Sequence, residues 1–125
     1  MKSPKRPTVL IVDDELPIRK MLTEVLTLEG FPIETATNGR EALDLLAQSG
    51  PRVVLLDLLM PEVDGRAVIE QLEATPDERS KHRIILVSAW LNLEKYRDLK
   101  AEARLPKPFT VDQLLNALDT VVSKN

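Results

Sequence analysis

The run Val53-Val54-Leu55-Leu56-Asp57, inside PRVVLLDLLMPEVDG from Pro51 to Gly65, decides the fold. Four consecutive apolar residues with no polar alternation, two of them β-branched, have the pattern of a parallel strand covered on both faces. A carboxylate follows at once. Asp57 therefore stands at the mouth of a buried strand, where it is either a turn or helix cap or a group with a chemical task.

Outward from this run, TVLIV (Thr8 to Val12) and IILV (Ile84 to Val87) repeat the pattern. Between the runs lie helical spacings. Ile18, Met21, Leu22, Val25 and Leu26 follow Pro17 at helical intervals, and Gly30 stops that helix. Phe31 to Ala36 reads as a more polar strand at a sheet edge, and Asn38 with Glu41 caps a second helix that ends before Gly50-Pro51. A third helix runs from about Arg66 to Ala74 behind Asp64 as cap, and Thr75-Pro76 stops it before a polar loop, Asp77 to Arg83. A shorter fourth helix starts near Asn92 and carries Leu93, Tyr96 and Leu99, leaving Ala101 to Pro106 as a weak last strand. Thr110 and Gln113 cap the last helix, with Val111, Leu114, Leu115, Leu118, Val121 and Val122 on one stripe. Five strands alternating with five helices predict an α/β domain, a single doubly wound five-stranded parallel sheet. Met1 to Pro7 reads as a disordered basic tail and residues 8–123 as the domain, with no output domain before Asn125.

Composition narrows the chemistry. The 125 residues hold no cysteine and one histidine, so thiolate metal sites, disulfides and an imidazole cage are excluded, and any metal must be held by oxygen. A net charge of −3 gives no general footprint for nucleic acid or anionic membrane. Apolar runs are too short to span a bilayer, and MKSPKRP is no signal sequence, which predicts a cytoplasmic protein.

In a doubly wound sheet, ligands sit beyond the carboxyl ends of the strands. There the chain carries Asp13-Asp14-Glu15, Asp57, Ser88-Ala89 and Lys107-Pro108-Phe109. Asp13 to Glu15 also suit the first turn of a helix, and Lys107 alone is an ordinary surface residue. Together they set a physical problem: two carboxylates about 4 Å apart repel by about 4 kcal/mol at an effective dielectric of 20. Positive charge must sit among them. An all-oxygen anionic pocket suits Mg²⁺, and Lys107 supplies a fixed cation. Asp57 is then placed to attack phosphorus and form an acyl phosphate, with Ser88 able to donate to the phosphoryl oxygen.

In this set and order the chain resembles the receiver domain of two-component response regulators, from Thr8 to Ser123, including Asp57 followed by LLMPEVDG. The resemblance implies flavodoxin-like topology, with Asp57 as phosphoacceptor, Ser88 as switch hydroxyl and Lys107 as the phosphate-pairing lysine. It implies Mg²⁺ held by Asp14 and Asp57 directly, by Asp13 through water and by the Leu59 backbone carbonyl. It also implies a histidine kinase or histidine phosphotransfer protein as donor, an output protein of unknown identity, and a cis peptide at Lys107-Pro108. In this family the residues two after the phosphoacceptor and two after the hydroxyl border the path of attacking water; here they are Leu59 and Trp90.

The chain departs from the family at two points. Only 19 positions separate Ser88 from Lys107 (107 minus 88), so the fourth helix is short. Arg104 stands where the family commonly has a switch aromatic, and it either finds a partner or snorkels at a sheet edge. Trp90, Leu91 and Leu93, with Tyr96 and Arg104, make either a partner face or, for Trp90, a cover over the pocket. His82 reads as a solvated loop histidine. The alternatives are a Mg²⁺-dependent phosphate-ester hydrolase and a degenerate receiver that only docks; a flavin domain fits poorly, because the loop after the first strand is acidic.

Overall fold

A computed structural model describes residues 6–48, 50–60 and 63–122. The tail expected at Met1 to Pro7 therefore lies outside the described residues up to Lys5, as does the domain end at Ser123. Arg6 packs over the Phe31 ring at 4.7 Å.

The strands are β1 (Thr8–Val12), β2 (Ile33–Ala36), β3 (Arg52–Asp57), β4 (Arg83–Ala89) and β5 (Ala103–Lys107). All pair in parallel in the order β2-β1-β3-β4-β5, so the winding reverses between β1 and β3. The helices are α1 (Leu16–Leu28), α2 (Gly39–Leu46), α3 (Gly65–Glu73), α4 (Pro76–Ser80), α5 (Trp90–Lys95) and α6 (Val111–Val122). Strand alternation divides the core in two. Leu10, Val12, Val54, Leu56, Ile84 and Leu86 face one layer, packed with Ala42, Leu46, Val68, Ile69 and Leu93 of α2, α3 and α5. Val9, Ile11, Val53, Leu55, Ile85 and Val87 face the other, packed with Leu22, Leu26, Leu114 and Leu118 of α1 and α6. Both faces of the central strands are covered, which is why they read as unbroken apolar runs.

Local expectations hold at most boundaries. Asn38 Oδ1 accepts from Glu41 N at 2.9 Å and Asp64 Oδ1 from Ala67 N at 3.0 Å. Thr110 and Gln113 exchange two cap bonds. Gly30 ends α1 at φ 91°, where a side chain would be strained. Gly65 begins α3 where an added Cβ would meet Asp57 O at 2.7 Å, so that helix can lie close against the end of β3 only with glycine there.

Three readings are corrected. Among the described residues there are six helices, not the five expected: α4 forms within the expected polar loop. Pro76 opens it, Asp77 and Glu78 sit in its first turn, and Arg79 fastens it by donating to His82 O, Lys100 O and Glu102. His82 is buried rather than solvated, 1% exposed, and its Nδ1 accepts from Arg52 N at 3.1 Å. Burial, reinforced by the Arg52 guanidinium, holds its pKa below the ordinary imidazole range. The short helix after β4 begins at Trp90 instead of being capped by Asn92, with Ala89 at its N-cap, and β5 begins at Ala103, two residues later than expected.

Candidate functional site

The carboxyl ends of β1 and β3 lie side by side where the winding reverses, and the Lys107 side chain reaches them from the end of β5. Asp13 follows β1, Asp57 ends β3 and Lys107 ends β5. Asp13, Asp14, Glu15 and Asp57 each bring a carboxylate oxygen within 4.8 Å of the others. Lys107 Nζ lies 3.2 Å from Asp13 Oδ2, 3.6 Å from Asp57 Oδ2 and 3.8 Å from Glu15 Oε1. One ammonium thus faces a cluster of four carboxylates, and the pocket keeps unbalanced negative charge. Asp13 and Asp57 are buried, whereas Asp14 and Glu15 are exposed and line the mouth.

The supports are local. Asp13 Oδ1 accepts from Glu15 N at 2.9 Å and Asp13 O from Arg19 Nη1 at 2.7 Å, which fixes the β1–α1 corner. Asp57 Oδ1 accepts from Leu59 N at 3.2 Å. Lys107-Pro108 is cis, as the resemblance implies. Glu15 and Arg19 stand outside the ligand set that the resemblance implies; the adjacency of Glu15 to the acidic pair is its sequence signal, and Arg19 carries none.

Electrostatics separates the two central groups. Burial pushes the Asp57 carboxyl up to about 6, opposed by Lys107 and reinforced by Asp13 and Asp14. For Lys107, burial pulls the ammonium down, but Asp57, Asp13 and Glu15 outweigh it and the net direction is up. The folded state holds a proton on Asp57 more tightly than the unfolded chain does. Stability of the metal-free protein therefore falls as pH rises from about 4 to about 6. Asp57→Asn keeps the acceptor for Leu59 N and removes this loss. Its metal-free form is expected to be more stable at pH 7 by on the order of 2 kcal/mol, a gap that closes towards pH 4 and shrinks when Mg²⁺ is added. Urea denaturation at several pH values checks it; a gap independent of pH contradicts the assignment.

The donor set fits a hard divalent cation. Clustered carboxylate oxygens beside an open mouth provide anionic ligands and room for water, the combination Mg²⁺ requires.

Ser88 ends the buried part of β4, one residue past the Asp57↔Val87 pair, and its Oγ accepts from Asn92 Nδ2 at 3.2 Å. Leu59 and Trp90 are both exposed, 53% and 60%. Leu91 is 78% exposed, but Leu93, two residues further round α5, is buried in the core and leaves the expected partner face. Tyr96 is half-buried, packed on the core under Arg66 and Lys95 at 5.1 and 5.5 Å from its ring. Arg104 is exposed and donates to the carbonyls of Leu99 and Arg97, so it needs no buried counter-ion. No helix among the described residues is long and apolar enough to cross a membrane.

Comparison with known proteins agrees with this geometry. Residues 9–119 match the response regulator receiver domain family. The response regulator MprA of Mycolicibacterium vanbaalenii is 38% identical over 110 residues, 86% of this chain and 46% of that protein. The chain spans about half the length of the curated relatives it matches. Among solved structures, the signal receiver domain of a signal transduction histidine kinase from Syntrophus aciditrophicus is 28% identical, with a TM-score of 0.84 over 94% of this chain and 90% of that one. A putative response regulator from Chloroflexus aurantiacus is 26% identical, with a TM-score of 0.87 over 96% of this chain and all of that one.

Proposed function

The chain belongs to the response regulator receiver domain family, and from that premise we propose that it is a phosphorylation-dependent switch in which Asp57 accepts a phosphoryl group from a phosphohistidine donor in a Mg²⁺-dependent reaction. The observation that carries this reading is the buried Asp57 with Lys107 Nζ at 3.6 Å inside a cluster of carboxylates. A carboxylate so placed is a nucleophile with a cation at hand for the charge that arrives.

Asp14 and Asp57, with the Leu59 carbonyl and, through water, Asp13, would hold the ion. When bound, Mg²⁺ offsets negative charge on the phosphoryl oxygens. An Asp57 carboxylate oxygen attacks phosphorus, its new bond forming as the bond from phosphorus to the donor imidazole nitrogen breaks. The nitrogen leaves with the electron pair, and Asp57 carries an acyl phosphate. Lys107 then exchanges a carboxylate partner for a dianionic group, a stronger charge-assisted contact, and Ser88 donates its hydroxyl proton to a phosphoryl oxygen. Movement of Ser88 reaches α5 and the exposed Trp90 and Leu91, which with Tyr96 and Arg104 form the face offered to an output partner. This is a switch rather than a turnover enzyme, and a histidine kinase or phosphotransfer protein is the donor. The domain spans residues 8–123. A cytoplasmic site suits such a donor, and the net charge of −3 disfavours direct nucleic-acid binding.

Lys107→Ala tests the switch. The variant is expected to take up a phosphoryl group from acetyl phosphate and Mg²⁺, because the nucleophile and ion ligands remain, but to lose the change in amide exchange around α5. A wild-type exchange response in the phosphorylated variant contradicts the role given to Lys107.

A further inference from the structure

Among the described residues, α5 is joined to the end of β4 by one side-chain hydrogen bond, Asn92 Nδ2 to Ser88 Oγ at 3.2 Å. The helix is a short one, Trp90–Lys95, and its N-cap, Ala89, offers no capping side chain. Asn92 lies four residues after Ser88, so strand end and helix turn bring the two together. Ser88 is 3% exposed and Asn92 is half-buried, which shields the bond from competing water.

The polarity of this bond matters. A serine hydroxyl has one proton and two acceptor lone pairs. Asn92 donates and so occupies a lone pair, leaving the proton free for another acceptor. Ser88 can therefore donate towards a phosphoryl group on Asp57 while still held by Asn92.

We infer that Asn92 is a positioning residue that aims the Ser88 proton at the phosphoacceptor site and drags the first turn of α5 when Ser88 moves. The inference rests on the proposed phosphorylation of Asp57 and adds the link between the hydroxyl and the helix. It also gives this chain a coupling element in place of the aromatic that Arg104 replaces, since the exposed Arg104 is tied to the carbonyls of Leu99 and Arg97 instead.

Two substitutions separate aim from packing. Asn92→Ala removes the tether. Asn92→Asp is nearly isosteric but accepts only, so Ser88 would turn its single proton onto the new carboxylate and away from the phosphoryl oxygen. The full chain is incubated with acetyl phosphate and Mg²⁺, phosphoryl occupancy is read by intact mass, and amide exchange is followed across α5. In both variants Asp57 is expected to be phosphorylated, while the phosphorylation-dependent change in α5 protection shrinks about fivefold, the worth of one ordinary hydrogen bond. In a Ser88→Ala background the substitution at Asn92 should cause no further loss. An Asn92→Asp variant with the wild-type response, or an Asn92→Ala effect that persists without Ser88, overturns the inference while leaving the proposed function intact. A wild type that takes up no phosphoryl group overturns both.

Discussion

The double variant Leu59→Asn with Trp90→Glu is expected to lose its phosphoryl group about 10²-fold faster than the wild type, the low end of what one positioned acid–base group contributes. An acyl phosphate is lost when water attacks phosphorus in line with the Asp57 oxygen. Rate then depends on whether neighbouring side chains hold that water in place or keep it out. Leu59 stands two residues after Asp57, with its own N–H bonded to the Asp57 carboxylate at 3.2 Å, and Trp90 stands two after Ser88. Neither side chain accepts a hydrogen bond, and both are large. Both are also exposed, so polar replacements carry little folding cost. The wild-type phosphoprotein is accordingly expected to be long-lived without a phosphatase. Substitutions at Asp64, whose carboxylate is engaged with Ala67 N as a helix cap, should change stability and not lifetime. Decay measured after donor removal in excess Mg²⁺ decides. A wild-type lifetime of seconds, or no acceleration in the double variant, contradicts the protective role of these two residues.

The second large effect is on the ion. Asp14→Ala is expected to weaken Mg²⁺ binding by at least about 10²-fold, because losing a mere outer-shell partner already costs 10- to 100-fold and Asp14 is assigned as a direct ligand. Asp14 is also the informative position. It is exposed, and it makes no ion pair with Lys107, which contacts Asp13, Glu15 and Asp57 instead. Its removal therefore leaves the remaining ion pairs and the β1–α1 corner in place. Calorimetric titration of Mg²⁺ into both proteins measures the change, and equal affinities contradict the ligand assignment.

How much of this was legible in the sequence depends on the range of the forces involved. The strands were readable because β1, β3 and β4 are covered on both faces, so Val9 to Val12, Val53 to Leu56 and Ile84 to Val87 need no partner to declare themselves. Asp57 and Lys107 were readable because a charge at the end of such a run has few structural explanations. The α4 helix was not: it is only five residues long, and what fastens it is Arg79 reaching Lys100 O and Glu102, contacts more than twenty residues distant. His82 was misread for the same reason, since its partner is the backbone of Arg52, thirty positions away. Leu93 and Trp90 looked alike because a helix of six residues gives no periodicity to separate a buried position from an exposed one. Glu15 joins the carboxylate cluster through the turn at Asp13, a geometry that composition cannot express.

The central claim is that Asp57 is the residue phosphorylated. Intact-protein mass spectrometry after incubation with acetyl phosphate tests it most directly, comparing wild type with Mg²⁺, wild type with chelator and Asp57→Asn with Mg²⁺. One added phosphoryl group is expected in the first sample and none in the other two; uptake that persists in Asp57→Asn contradicts phosphorylation at Asp57.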